Sequence, residues 1–112
     1  MRIAITYDIE KREVFQHFGK TEHFLIADVD TKEAAVIDNG GHSHHELIPY
    51  LANLGVKTLI CGGIGNHAVD ALKSYGIDLI PGVSGDIDTV LTKFESGLLV
   101  GNQEAIHQCS HH

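Results

Sequence analysis

The sequence is short of basic charge, of cysteine and of long apolar runs, and each shortage closes off a class of function. Eight Lys plus Arg stand against fifteen Asp plus Glu, a formal net charge of -7. Such a surface repels phosphate backbones and anionic headgroups, so no nucleic acid and no membrane are expected as partners. Two cysteines, Cys61 and Cys109, cannot staple a disulfide framework and make no C-x-x-C pair. Zinc-finger spacings of cysteine and histidine are missing too. Met1-Arg2 leads straight into a strand-like run, and no apolar stretch suits a signal peptide or a membrane span. A cytoplasmic, reducing location is expected. With no internal repeat, low-complexity block or linker, a chain of 112 residues, 43% hydrophobic, should bury one core. We expect a single domain over residues 1–100 and a polar tail over 101–112.

What is present is histidine and glycine. Nine histidines outnumber the eight Lys plus Arg, a balance that points towards metal or proton chemistry. The glycines concentrate in the stretch around which the chain is organised, residues 58–72. A short apolar run there breaks into Cys61-Gly-Gly-Ile-Gly65 and resumes at helical spacing with Ala68, Val69 and Leu72. It reads as buried strand, tight turn and amphipathic helix. Gly62, Gly63 and Gly65 are expected to turn through positive φ and to leave amides uncovered at a helix N-terminus, where anions are favoured. Cys61 and His67 flank this turn. A thiol and an imidazole beside bare amides suit a metal, a cluster or an oxyanion. Cys61 equally suits a small core side chain at the end of a buried strand.

Taken in order, residues 2–7 form a first strand ended by Asp8, followed by a charged segment. His17, next to Phe18 and Gly19, reads either as a residue set on a shaped loop or as an exposed side chain beside core plugs Phe15 and Phe18. Residues 24–29 and 34–37 make a hairpin. Asn39-Gly-Gly-His42 and Ser43-His-His45 lead into a helix carrying Leu47, Ile48, Leu51 and Leu54 and stopped by Gly55. Ser43 and Glu46 have capping-box spacing, which puts residues 42–45 on the loop and first helical turn. The central strand and its helix follow, ending near Tyr75 and Gly76. Residues 77–80 are a short strand, and Asp86 is a plausible N-cap for the helix of Ile87, Val90, Leu91 and Phe94. Residues 98–100 read as a short strand or an apolar tuck.

The order βββαβαβα implies a mixed five-stranded sheet with helices on its faces and the first strand central. Right-handed crossovers then bring the C-terminal ends of strands one, three, four and five to one edge, where open α/β sheets bind ligands. The loops leaving that edge carry His17; Gly41, His42, His44 and His45; Cys61, Gly62, Gly63, Gly65 and His67; and Ser84 to Asp86. His17, His42 and His67 are expected to face a shared cleft against the 62–65 turn. His44, His45, Cys109 and His111 would be further metal ligands.

His17-Phe-Gly19, Asn39-Gly-Gly-His42 and Cys61-Gly-Gly-Ile-Gly65, in this order around a hairpin and two helices, resemble the dinitrogenase iron-molybdenum cofactor biosynthesis family over residues 1–100. The resemblance implies a three-layer α/β/α, ribonuclease H-like fold. It also implies a non-catalytic carrier of an iron-molybdenum cofactor precursor or another Mo/Fe-S cluster, dealing with cluster-assembly or acceptor proteins. The family's binding residues fall on His17, Gly62, Gly63 and Gly65, with His42 and His67 beside them. Histidines beyond the motif, at His44 and His45, leave open an oxyanion or phosphate site and a simple divalent-metal site. The tail Cys109-Ser-His-His112 resembles the Cys- and His-bearing tails of some members.

Two rival readings fail on position. Gly63-Ile-Gly-Asn-His-Ala68 fits the dinucleotide pattern G-x-G-x-x-A, but the next strand ends Leu79-Ile-Pro81 with no acid to hold a ribose. A two-metal nuclease needs converging carboxylates, whereas Asp28 and Asp30 lie at the opposite end of the sheet from Asp8.

Overall fold

The computed structural model describes residues 1–43 and 46–107. In chain order the elements are strands β1 (Arg2–Asp8), β2 (Glu13–Val14), β3 (His23–Asp28) and β4 (Ala34–Asp38), helix α1 (Leu47–Asn53), strands β5 (Val56–Ile60) and β6 (Ile64–Gly65), helix α2 (Asn66–Ser74), strand β7 (Asp78–Ile80), helix α3 (Ile87–Glu95) and strand β8 (Ile106–His107). The main sheet runs β4-β3-β1-β5-β7, with β1 in the middle. β3 pairs antiparallel with β1 and with β4, whereas β5 pairs parallel with β1 and β7 parallel with β5. Strands β1, β4, β5 and β7 therefore point the same way, as the loop argument requires.

Alternation along the central strands sorts side chains between two cores. Ala4, Phe24 and Leu59 pack under α1 and α2 with Leu47, Ile48, Leu51 and Leu72. Ile3, Ile5, Tyr7, Leu25 and Ile60 pack under α3 with Ile87 and Val90. This is the three-layer α/β/α arrangement. Leu51 and Leu59 are wholly buried, and each such side chain stabilises the fold by roughly 1.5–3 kcal/mol. Pro49 is tolerated because it lies in the first turn of α1, where its missing N–H has no helical acceptor.

Local structure departs from the sequence reading in three places and decides between two readings in a fourth. The charged segment after Asp8 folds back as β2, whose Glu13 and Val14 pair antiparallel with Asp8 and Tyr7, so the sheet has six strands. Residues 98–100, read as a short strand or an apolar tuck, take the second form: they make no strand, and Leu99 packs on the α3 side while Leu98 and Val100 are exposed. The capping box is half formed: the Ser43 amide donates to Glu46 Oε1 at 3.0 Å, but Glu46 itself precedes the helix in helical conformation. Finally, the stretch expected to be a polar tail carries, up to residue 107, a 3-10 turn at Gln103–Ala105 and the strand β8, which pairs parallel with β6. Alternating polarity does not mark so short a strand, because two residues cannot show a period.

Candidate functional site

Three extended segments from distant parts of the chain lie side by side at the C-terminal edge of the sheet. The middle one is Gly63-Ile64-Gly65. On one side, Gly63 donates its amide to the Gln16 carbonyl at 2.6 Å and accepts from the Phe18 amide at 3.0 Å, which fixes His17 beside Gly63 in a parallel bridge. On the other, Ile64 pairs with Ile106 and Gly65 with His107. Ile64 is buried in the core under α2, while Gly63 and Gly65 have no side chain to cover the opposite face. The result is a strip of backbone without side chains, walled by the His17 segment and the 106–107 segment.

The glycines of this turn do not act as expected. None of Gly62, Gly63 and Gly65 has positive φ, and Gly65, at φ -78, is the extended N-cap of α2. Gly62 is needed for close approach instead, since an added Cβ would stand 2.7 Å from the Gln16 Cα. The amides are also less bare than the sequence implied, because that of Gly63 is bound to Gln16. What remains for an anion is the start of α2. Its Gly65 cap supplies no side-chain acceptor, and no acid lies in its first turn.

Of the histidines, His17 is exposed, its ring edge-on to Phe15 at 6.3 Å between centroids. His67 is exposed as the second residue of α2. His42 is turned onto α1: its ring lies 4.7 Å from that of Tyr50, and its Nδ1 is 3.9 Å from Glu46. Gly41, at φ +75 with open space around it, shapes the turn before His42. Among the described residues no three of His, Cys, Asp or Glu form a group able to hold a metal ion. His17, His42 and His67 therefore form no three-imidazole metal group. Loop order brings segments to one edge, but Tyr50 and Glu46 decide where His42 points. His44, His45, Cys109 and His111 lie outside the described residues. Cys61 is fully buried, and burial pushes its thiol up to about 12, so it packs as a core side chain.

The same edge has a second, acidic region. A cleft of about 220 Å³ is lined by Tyr7, Asp8, Ile9, Glu10, Phe15, Glu22 and His23. Three carboxylates make it hostile to an anion. Ser84 and Asp86 fall on this side, where the Asp86 carboxylate caps α3 by accepting from the Thr89 amide at 3.1 Å. A larger groove of about 280 Å³, lined by Arg2, Asp28, Glu33 and Leu54 among others, sits at the opposite end of the sheet. The segment that sequence reasoning missed at the strip is 106–107, whose backbone pairs with Ile64 and Gly65. Its signal was position in a short segment after the last helix, which periodicity does not read.

Residues 1–97 match the family model described as dinitrogenase iron-molybdenum cofactor. A protein from Methanocaldococcus jannaschii, itself described as uncharacterized, is 28% identical over 107 residues, covering 88% of this chain and 89% of its own. The crystal structure of PH0822 is of a protein 31% identical, with a TM-score of 0.84, and the match covers 94% of this chain and 97% of that one. The apo form of the orange protein from Desulfovibrio gigas is 26% identical, with a TM-score of 0.80, covering 91% and 92%.

Proposed function

Because the chain belongs to the dinitrogenase iron-molybdenum cofactor family, we propose that it is a non-catalytic carrier of a metal-sulfur cluster, an iron-molybdenum cofactor precursor or a related molybdenum-iron species. The cargo would rest on the Gly63–Gly65 strip. The observation that carries this reading is the bridge holding His17 beside Gly63 at the start of α2. A cluster is a bulky anion with sulfide surface. It needs a bare backbone face for close approach, a helix N-terminus with no carboxylate nearby, and an imidazole at its rim. Acceptor or cluster-assembly proteins are the partners such a role requires, and the acidic surface argues against nucleic acid.

The second reading, an oxyanion or phosphate site on the same strip, is favoured by the helix start alone. The two differ in their response to acid. Neutral imidazole coordinates metal and protonated imidazole does not, so cluster binding weakens on acidification while oxyanion binding strengthens. Anaerobic purification with visible absorption and elemental analysis is the first test. Titration of molybdate, isolated iron-molybdenum cluster and zinc into wild type, His17→Ala and His67→Ala follows. Loss of cluster binding in His17→Ala supports the carrier. If no metal species binds, or both variants bind as wild type does, the carrier reading is wrong.

A further inference from the structure

The two edges of the main sheet are finished differently. At one edge β7 is three residues long, begins with Asp78 and is followed by Pro81, whose carbonyl accepts from the Asn102 amide at 2.7 Å. A short strand, a charge, a proline and a covering segment all stop an edge from pairing. At the other edge β4 has five residues, and Ala34-Ala35-Val36-Ile37 carries no charge and no proline. Val36 is 42% exposed.

Hydrogen-bond parity in the β3–β4 ladder tells which groups β4 leaves unused. The Asp28 amide donates to the Glu33 carbonyl at 2.8 Å, and the Asn39 amide to the Glu22 carbonyl at 2.9 Å. Opposite residues exchange bonds at every second pair of an antiparallel ladder. Ala35 and Ile37 therefore bond inward to Ile26 and Phe24, while the backbone groups of Ala34, Val36 and Asp38 point away from the sheet. Of these, the Asp38 carbonyl accepts from the Tyr50 hydroxyl at 3.2 Å and keeps a second lone pair. Grooves of about 280 and 270 Å³ flank the strand, one lined in part by Ile26, Ile37 and Leu54 and the other by Ala27 and Leu91.

We propose that β4 pairs antiparallel with β4 of a second copy of this chain, about a two-fold axis at Val36, which joins the two main sheets into one. Val36 is the middle of β4, so all five residues pair. Outward backbone groups then meet outward ones: Val36 lies opposite the partner's Val36, and Ala34 opposite the partner's Asp38. A slip of one residue would set outward groups against inward ones. Ala35 falls opposite the partner's Ile37, and no carboxylate faces another, whereas an axis at Asp38 would oppose two. Antiparallel pairing turns the cargo edges of the two copies in opposite directions, away from the interface. Each copy carries a formal charge of -7, so the copies repel and added salt should strengthen pairing.

The test is sedimentation equilibrium of the full chain from the micromolar to the millimolar range. Wild type should pass from monomer to dimer, and at lower concentration in higher salt. Val36→Lys sets like charges opposite each other and should weaken pairing by about tenfold, as should Val36→Glu. Mixing the two variants should restore a dimer, because position 36 faces itself in this register. An unchanged unfolding midpoint identifies each variant as folded. Wild type alone gives a second readout, since the amides of Ala34 and Val36 should exchange more slowly as concentration rises while those of Ala35 and Ile37 do not change. A wild type that stays monomeric throughout overturns the proposal, even if an added peptide strand binds β4. A dimer that Val36→Lys leaves intact, or exchange at Ala34 and Val36 that ignores concentration, overturns it too. None of these readouts involves cargo, so their failure leaves the carrier reading untouched.

Discussion

The α-carbon of Gln16 stands where a side chain on Gly62 would begin, 2.7 Å from an added Cβ. This contact locks the His17 segment onto the glycine turn. Gln16 also donates through Nε2 to the carbonyls of Val14 at 3.0 Å and Val83 at 3.1 Å, tying three loops together.

Gly62→Ala is therefore expected to destabilise the protein by about 1–3 kcal/mol, because backbone cannot yield as a flexible side chain can. Gly76→Ala is the control. Gly76 has φ +70 but nothing within 4 Å of an added Cβ, so only conformational strain, about 1–2 kcal/mol, applies there. Denaturant unfolding measures both. The difference lies in the site: Gly62→Ala should also displace the His17 backbone resonances, while Gly76→Ala should leave them in place.

Cys61 is expected to resist thiol reagents in the native state near neutral pH, tested in a Cys109→Ser background. Its thiol titrates at about 12 in place of an ordinary 9.0, through burial alone. Below about pH 9 the proton is bound in both folded and unfolded chains. Between roughly 9 and 12 the unfolded chain loses it first, so stability falls as pH rises through that window. Cys61→Ala should flatten the alkaline part of the stability profile relative to its parent. Rapid labelling of native Cys61 would show that the strand end is open.

Asp86→Ala should cost about 1 kcal/mol of stability and Asp86→Asn much less, since asparagine keeps an acceptor for the first turn. The carboxylate accepts from the Thr89 amide at 3.1 Å and its hydroxyl at 3.3 Å. Equal loss in both variants would mean that charge, not capping, is what Asp86 supplies.

At the far end of the sheet, hydrogen bonds from the amides of Asp30 and Thr31 hold the Asp28 carboxyl below its usual range, with the N-terminal ammonium 3.6 Å away. That stabilisation is present above the ordinary carboxylate value of 3.8 and is lost as pH falls through the lowered one. Asp28→Asn should reduce the acid dependence of the unfolding midpoint while leaving cluster binding unchanged. An unaltered acid limb would refute the assignment.

Much of the architecture was legible along the chain because it is written in local periods. The alternation of Ile3, Ile5 and Tyr7 against Ala4 marks a strand buried on both faces, and Leu47, Ile48 and Leu51 mark a helix with one apolar side. With the hairpin at residues 23–38, handedness alone then placed β1 in the centre and four loops on one edge. Tertiary structure decided what those loops do there. Gly62 and Gly65 are glycines for approach and capping, not for positive φ, a distinction invisible until the Gln16 backbone arrives from another segment. His42 leaves the edge for Tyr50, Cys61 enters the core, and residues 106–107 come to the strip through a two-residue ladder that has no period to read. Periodicity is a property of neighbours in sequence and fixes which face of an element is buried. Register between segments is set by packing among residues far apart, so it is register that gave His17 and His107 their places beside Gly63 and Gly65.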